Sequence, residues 1–150
     1  PIFLRYEYTE NELAHLMAND ADPFNRWEAG QRLAVIVLLR NVEAIRRNAA
    51  PQVPEALGRA FSRLLDDASR DPALAAESLN LPSETYLAEQ MDVVDPEAIL
   101  AARVHLRHAL ASSLRDRLLA LYESMATSAP YSPDAASAGR RALQIGRAHV

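Results

Sequence analysis

No cysteine, no lysine and only four glycines occur in this 150-residue chain. Without cysteine there can be no disulfide scaffold and no thiolate metal site. A reducing compartment fits that absence, and a cytoplasmic location is the expectation. Without lysine, all sixteen basic side chains are arginine, which reads as the mark of a GC-rich gene. Acidic residues outnumber them, the formal charge is −4, and no basic block stands out. Nucleic acid is therefore not an expected partner. No apolar run approaches the ~18 residues of a membrane span, so a membrane is not expected either. No targeting segment is recognisable, but the chain opens on Pro1 rather than methionine, so that absence excludes nothing. Scarce glycine against abundant Ala, Leu, Arg and Glu is the composition of an all-α protein, and the length suits one domain.

One stretch organises the rest. In Asp22-Pro23-Phe24-Asn25-Arg26-Trp27-Glu28-Ala29-Gly30-Gln31-Arg32-Leu33-Ala34, Asp22 suits a helix N-cap and Pro23 the first helical position, where a missing N–H costs nothing. Asn25 offers a competing cap. The spacing is helical to Leu33 and then apolar nearly all round through Val35, Ile36, Val37, Leu38 and Leu39. That pattern predicts a helix over about 23–48, buried among other helices. Trp27, the only tryptophan, is expected to pack the core with Phe24 nearby.

Around it, Ile2–Tyr8 is rich in β formers and reads as a strand. Thr9-Glu10-Asn11-Glu12 is a capping box, predicting a helix over about 10–19 with Leu13, Leu16 and Met17 inside. A helix from Gln52–Glu55 to about Ser69 carries a stripe of Leu57, Phe61, Leu64 and Leu65. Asp71-Pro72, Ser83 and Asp95-Pro96 each cap a further helix, the last running to about Ala126. Ser132-Pro133 is expected to open one more. Short links between helices imply antiparallel neighbours in a helical array, with no clean repeat of fixed period.

The segment D-P-F-N-R-W-E-A-G-Q-R-L resembles the opening of the helical C-terminal domain of the bacterial aminopeptidase N family, zinc-dependent alanyl aminopeptidases. Asp71–Ser83, Ala88–Pro96 and Pro130–Leu143 resemble it in the same order. The resemblance covers roughly Ile2 to Leu143. It implies a HEAT- or armadillo-like solenoid that is a non-catalytic part of a larger enzyme, one that releases N-terminal residues from peptides. Residues 1–8 would then be the last strand of a truncated β-sandwich, 9–143 the first part of the helical domain, and 144–150 a non-native tail. That tail leaves the family pattern abruptly and reads like a translated sequencing adapter, so His149 is given no role. The implied partners are the rest of the parent chain, its catalytic and β-sandwich domains, and the parent's peptide substrates. In that reading the helical domain helps enclose the active-site cavity.

The chemistry itself is not in this piece. Zinc peptide hydrolysis needs H-E-x-x-H and a third ligand, and the chain has no His-Glu pair. The family's peptide-anchoring G-A-M-E-N motif is absent as well. His105 and His108 lie three apart on a predicted helix, without a third donor assured, and are expected to be solvated. Glu84, Glu89, Asp92, Asp95 and Glu97 gather at a helix junction, where Asp95 is better explained as a cap and the others as a solvated face. Tyr122 and Tyr131 are expected to be core or cap residues. No catalytic, cofactor-binding or metal residue is therefore assigned. Zinc belongs to the implied parent, and none is expected to be bound here. A stand-alone helical-repeat module that binds peptides or proteins is the alternative reading.

Overall fold

The computed structural model describes residues 7–126 and 130–146. Among them there are seven helices and no strand: α1 (Glu10–Asn19), α2 (Pro23–Arg46), α3 (Glu55–Asp66), α4 (Pro72–Leu79), α5 (Glu84–Ala88), α6 (Pro96–Met125) and α7 (Ala135–Gly146). The strand expected over Ile2–Tyr8 falls almost wholly outside the described residues.

Side-chain caps set most of the helix starts. At α1 the box is complete: Thr9 Oγ1 accepts from the Glu12 amide at 3.3 Å, and the Thr9 amide donates to the Glu12 carboxylate at 2.8 Å. Asp22, not Asn25, caps α2, accepting from the Phe24 amide at 2.8 Å. Asp71, Ser83 and Asp95 cap α4, α5 and α6 as their sequence positions imply. Each such oxygen satisfies a donor that the helix itself leaves unpaired. The last helix departs from expectation. It begins at Ala135 rather than at Ser132-Pro133, because Asp134 takes the cap and accepts from the Ser137 amide at 2.9 Å.

Helix α2 ends two residues before the expected boundary. Asn48 adopts φ 56°, its amide donates to the Ile45 carbonyl at 2.9 Å, and the Ala49 amide reaches the Ala44 carbonyl at 2.8 Å. This is a Schellman closure, with a left-handed residue just past the cap.

Helix α2 is the hub, packing on α1, α4, α5 and α6, while α3 joins α1 and α6, and α7 packs chiefly on α4. One apolar core runs through the array, from Leu13 and Met17 through Leu33, Val37 and Leu38 to Leu57, Phe61 and Leu64, then Ile99, Leu106 and Leu110, and finally Leu143. Arginines tie the layers together at its edge. Arg26 donates to the Met17 carbonyl at 3.1 Å and to Asp67 at 3.5 Å, joining the ends of α1 and α3 to α2. Arg40 pairs with Glu10, and Arg117 with Asp66.

The expected all-round burial of α2 does not hold among the described residues. Ala29, Gly30, Leu33, Ala34, Val37, Leu38, Asn41 and Val42 form the buried stripe. Val35 and Leu39 are only half-buried, and Ile36 is 38 % exposed. Trp27 is half-buried instead of interior, and Phe24 is 64 % exposed. The reason is position along the helix: Trp27 shares the angular sector of the buried Ala34 and Leu38, but it stands in the first turns of α2, where it lines open space rather than a closed core. Tyr122 and Tyr131 are likewise surface residues, not core.

Candidate functional site: an apolar groove beside the central helix

Along its first half, α2 presents two ridges with helical spacing, Trp27-Gln31-Val35 and Glu28-Arg32-Ile36. They form one wall of a groove of about 670 Å³. The other wall is Glu77 at the end of α4, the link from Asn80 through Ser83, and Tyr86 on α5. That volume lies within the ~300–1,000 Å³ usual for ligand sites.

The walls are fixed by hydrogen bonds to backbone. The Gln31 side chain donates to the Asn80 carbonyl at 2.8 Å, bridging the two sides. From behind, Arg103 on α6 donates to the Pro82 carbonyl at 2.8 Å and pairs with Glu84 at 2.9 Å. At one end Phe24 and Trp27 meet at 5.8 Å between ring centroids, and Arg32 lies 5.1 Å over the Tyr8 ring. A smaller cavity of about 240 Å³ shares Asn80 and Leu81 with the groove and is lined by Arg103 and Arg107.

The other residues singled out from the sequence do not converge on the groove. His105 is half-buried and His108 exposed on α6, and neither lines it. Glu84 is held by Arg103, and Asp95 caps α6 while standing 3.9 Å from Arg46. Glu89, Asp92 and Glu97 are exposed. Tyr131 lies under Arg141, at 4.6 Å. His149 lies outside the described residues. Among the described residues no three His, Asp or Glu side chains come together as a metal cluster, so the donor set here does not fit a zinc ion. Of the two hydroxyl-bearing side chains in the groove wall, Ser83 and Tyr86, Ser83 accepts from the Tyr86 amide as a cap. The groove offers mainly apolar surface and shape.

Of the groove residues, Trp27 was expected in the core, and Gln31 and Ile36 carried no individual signal. A signal did exist. Residues 33–39 hold more apolar side chains than one buried stripe can use, and the surplus, Val35 and Ile36, lines the groove.

These features define a class: a helix-on-helix repeat domain with an apolar groove beside its central helix. Residues 10–146 match the family described as a domain of unknown function (DUF3458_C) with ARM repeats, and the chain belongs to that family. It is 43 % identical over 145 residues to aminopeptidase N of Caulobacter vibrioides, covering 96 % of this chain and 16 % of that protein. Against aminopeptidase N of Escherichia coli it is 38 % identical over 124 residues, covering 83 % of this chain and 14 % of that one. The fold also matches a crystal structure of Legionella pneumophila aminopeptidase A in complex with aspartic acid. There the TM-score is 0.77 at 25 % identity, over 95 % of this chain and 17 % of that chain. The chain is thus homologous to the helical C-terminal domain of aminopeptidase N, and it spans only about a sixth of the length of the relatives it matches. No described helix is long and apolar enough to cross a membrane.

Proposed function

We propose that this chain is the non-catalytic helical segment of a cytoplasmic zinc aminopeptidase that releases N-terminal residues from peptides, and that it helps enclose the cavity where they are cleaved. The observation that carries this reading is the 43 % identity, over nearly the whole chain, to a protein named aminopeptidase N. The apolar groove beside α2, with the surface of a binding face, is in keeping with that reading. In this reading the zinc, its ligands and the general base are supplied by other parts of the parent chain. The partners are those parts and the peptide substrates, with neither nucleic acid nor a membrane involved. Residues 1–8 belong to a preceding β-sandwich, 9–143 to the helical domain, and 144–150 to a non-native tail.

The test uses a fluorogenic alanyl substrate. The full parent enzyme is expected to cleave it, to lose activity to a chelator and to regain activity with zinc. The 150-residue segment with added zinc is expected to release no fluorophore. Turnover by the segment, or a parent indifferent to chelation, overturns the reading.

A further inference from the structure

We propose that the cavity of about 240 Å³ between α6 and the link at Asn80 and Leu81 binds a small oxyanion of the phosphate class, held by Arg107 with Arg103 and Asn80. This site lies outside the aminopeptidase reading and does not rest on it.

The first observation is Arg107 itself. The other described arginines are engaged in ion pairs or over tyrosine rings, with one exception. Only Arg107 and Arg140 have no such partner among the described residues. Arg140 is exposed, where water serves it, but Arg107 is half-buried. A guanidinium partly withdrawn from water without a counter-charge is unfavourable, and an anion relieves that.

The second is convergence. Arg103 and Arg107 stand one turn apart on α6 and both line the cavity. Arg103 uses its Nε on the Pro82 carbonyl and one terminal nitrogen on Glu84, which leaves the other terminal nitrogen unbonded. The Asn80 carbonyl accepts from Gln31, while its side-chain amide has no hydrogen bond among the described residues. Glu84 is the one carboxylate paired with these two arginines, so they keep a net positive charge. The third is size. The cavity falls below the ~300–1,000 Å³ of sites for larger ligands, which suits an ion. Donors line it from α6 on one side and from the link on the other. A phosphate, with acceptor oxygens on several sides, meets both, and the planar arginine fork can take two of them at once.

Isothermal titration calorimetry with inorganic phosphate, at constant ionic strength in chloride, tests the site in the 150-residue chain and in the full-length parent. One saturable site is expected in the chain. Arg107→Gln should weaken it by roughly tenfold or more, the loss of a charge-assisted bidentate pair. Arg140→Gln should leave it unchanged. Sulfate should compete, and acetate should bind at least about tenfold more weakly. In the unaltered chain, the Asn80 side-chain amide and the Arg107 Nε–H should shift in NMR spectra with the same saturation, a readout that needs no variant to fold. In the parent, where phosphate can also meet a metal, the difference between wild type and Arg107→Gln is the signal. No saturable binding by the chain, or equal binding by Arg107→Gln, overturns the proposal. Acetate binding as tightly as phosphate overturns the phosphate class. Binding by the chain that vanishes in the parent overturns the free-ion site and assigns the cavity to a carboxylate of the parent polypeptide.

Discussion

The carboxamide of Asn41 is matched in both directions to the backbone of Gln52. Its Nδ2 donates to the Gln52 carbonyl at 3.0 Å, and its Oδ1 accepts from the Gln52 amide at 2.9 Å. Asn41 is 1 % exposed, on the buried stripe of α2. It fastens the turn after α2 to the helix, with both the nitrogen and the oxygen of the amide bonded.

Asn41→Leu should therefore leave two part-buried backbone groups of Gln52 without their side-chain partner. Each buried orphan costs ~1–3 kcal/mol, so a loss of several kcal/mol is expected in denaturant melts. Asn41→Asp keeps the acceptor but turns a carboxylate oxygen toward the Gln52 carbonyl. It should be at least as harmful at neutral pH and partly recover in acid, where the protonated oxygen can donate.

The helical glycines should diverge on substitution by alanine. At Gly58 a Cβ meets nothing within 4 Å, so Gly58→Ala gains helix propensity of ~1 kcal/mol with no opposing clash. At Gly139 a Cβ would stand 3.2 Å from the backbone nitrogen of Ala73. Backbone cannot swing aside, so Gly139→Ala should push α7 off α4 and lower stability despite the same propensity gain. Thermal melts of the two variants, taken side by side, check the opposite signs.

Asn48 holds a positive φ of 56°, which a side chain with a Cβ tolerates poorly unless it is Asn or Asp. Asn48→Gly should be neutral or slightly stabilising. Asn48→Ala should cost about 1 kcal/mol and fray the end of α2. Amide exchange at Asn48 and Ala49, whose N–H groups close the helix, is the local readout.

The Asp134 carboxyl is held well below the usual carboxylate range, first by the Ser132 hydroxyl and then by the backbone amide and hydroxyl of Ser137. A folded pKa below the unfolded one means the contribution is complete above the unfolded value. It is lost as the pH falls from there through the lowered folded value. The first turn of α7 should lose amide protection, measured relative to the intrinsic exchange rate at each pH, as solutions are taken from neutral to strongly acid pH. Asp134→Asn should flatten that dependence. An equally steep pH response in Asp134→Asn assigns it to other carboxylates.

Much of this architecture is legible in the sequence, because its helix starts are written in local chemistry. Thr9, Asp22, Asp71, Ser83 and Asp95 each sit where their side chain can reach an amide two or three residues on, a relation that needs no tertiary knowledge. The α3 stripe of Leu57, Phe61 and Leu64 is legible for a similar reason, since a single periodic face meets a single core. Trp27 and Ile36 are not. Their apolar character says that they will be covered, but not by what. A periodicity that is apolar on most sides cannot separate a core flank from a docking face. Ser132 and Asp134 compete for one cap, and Ala135 as the first helical residue became clear only in three dimensions. The Asn41–Gln52 pairing was equally silent, because an asparagine on a helix usually marks its wet side.

Helix α4 has eight residues, and its packing partner α7 lies some sixty residues further along the chain. A helix that short cannot stand alone in water. During synthesis α4 therefore lacks its main packing partner until α7 has been made, although α2, the groove's inner wall, and α6 precede α7 in the chain. The delay is a matter of contact order, since distant partners close last. Nascent chains stalled before and after α7 should differ in proteolytic sensitivity at residues 77–86 while matching over α1 and α2. The groove is thus expected to be among the last features of the described helices to reach its final packing, later than α1 and α2.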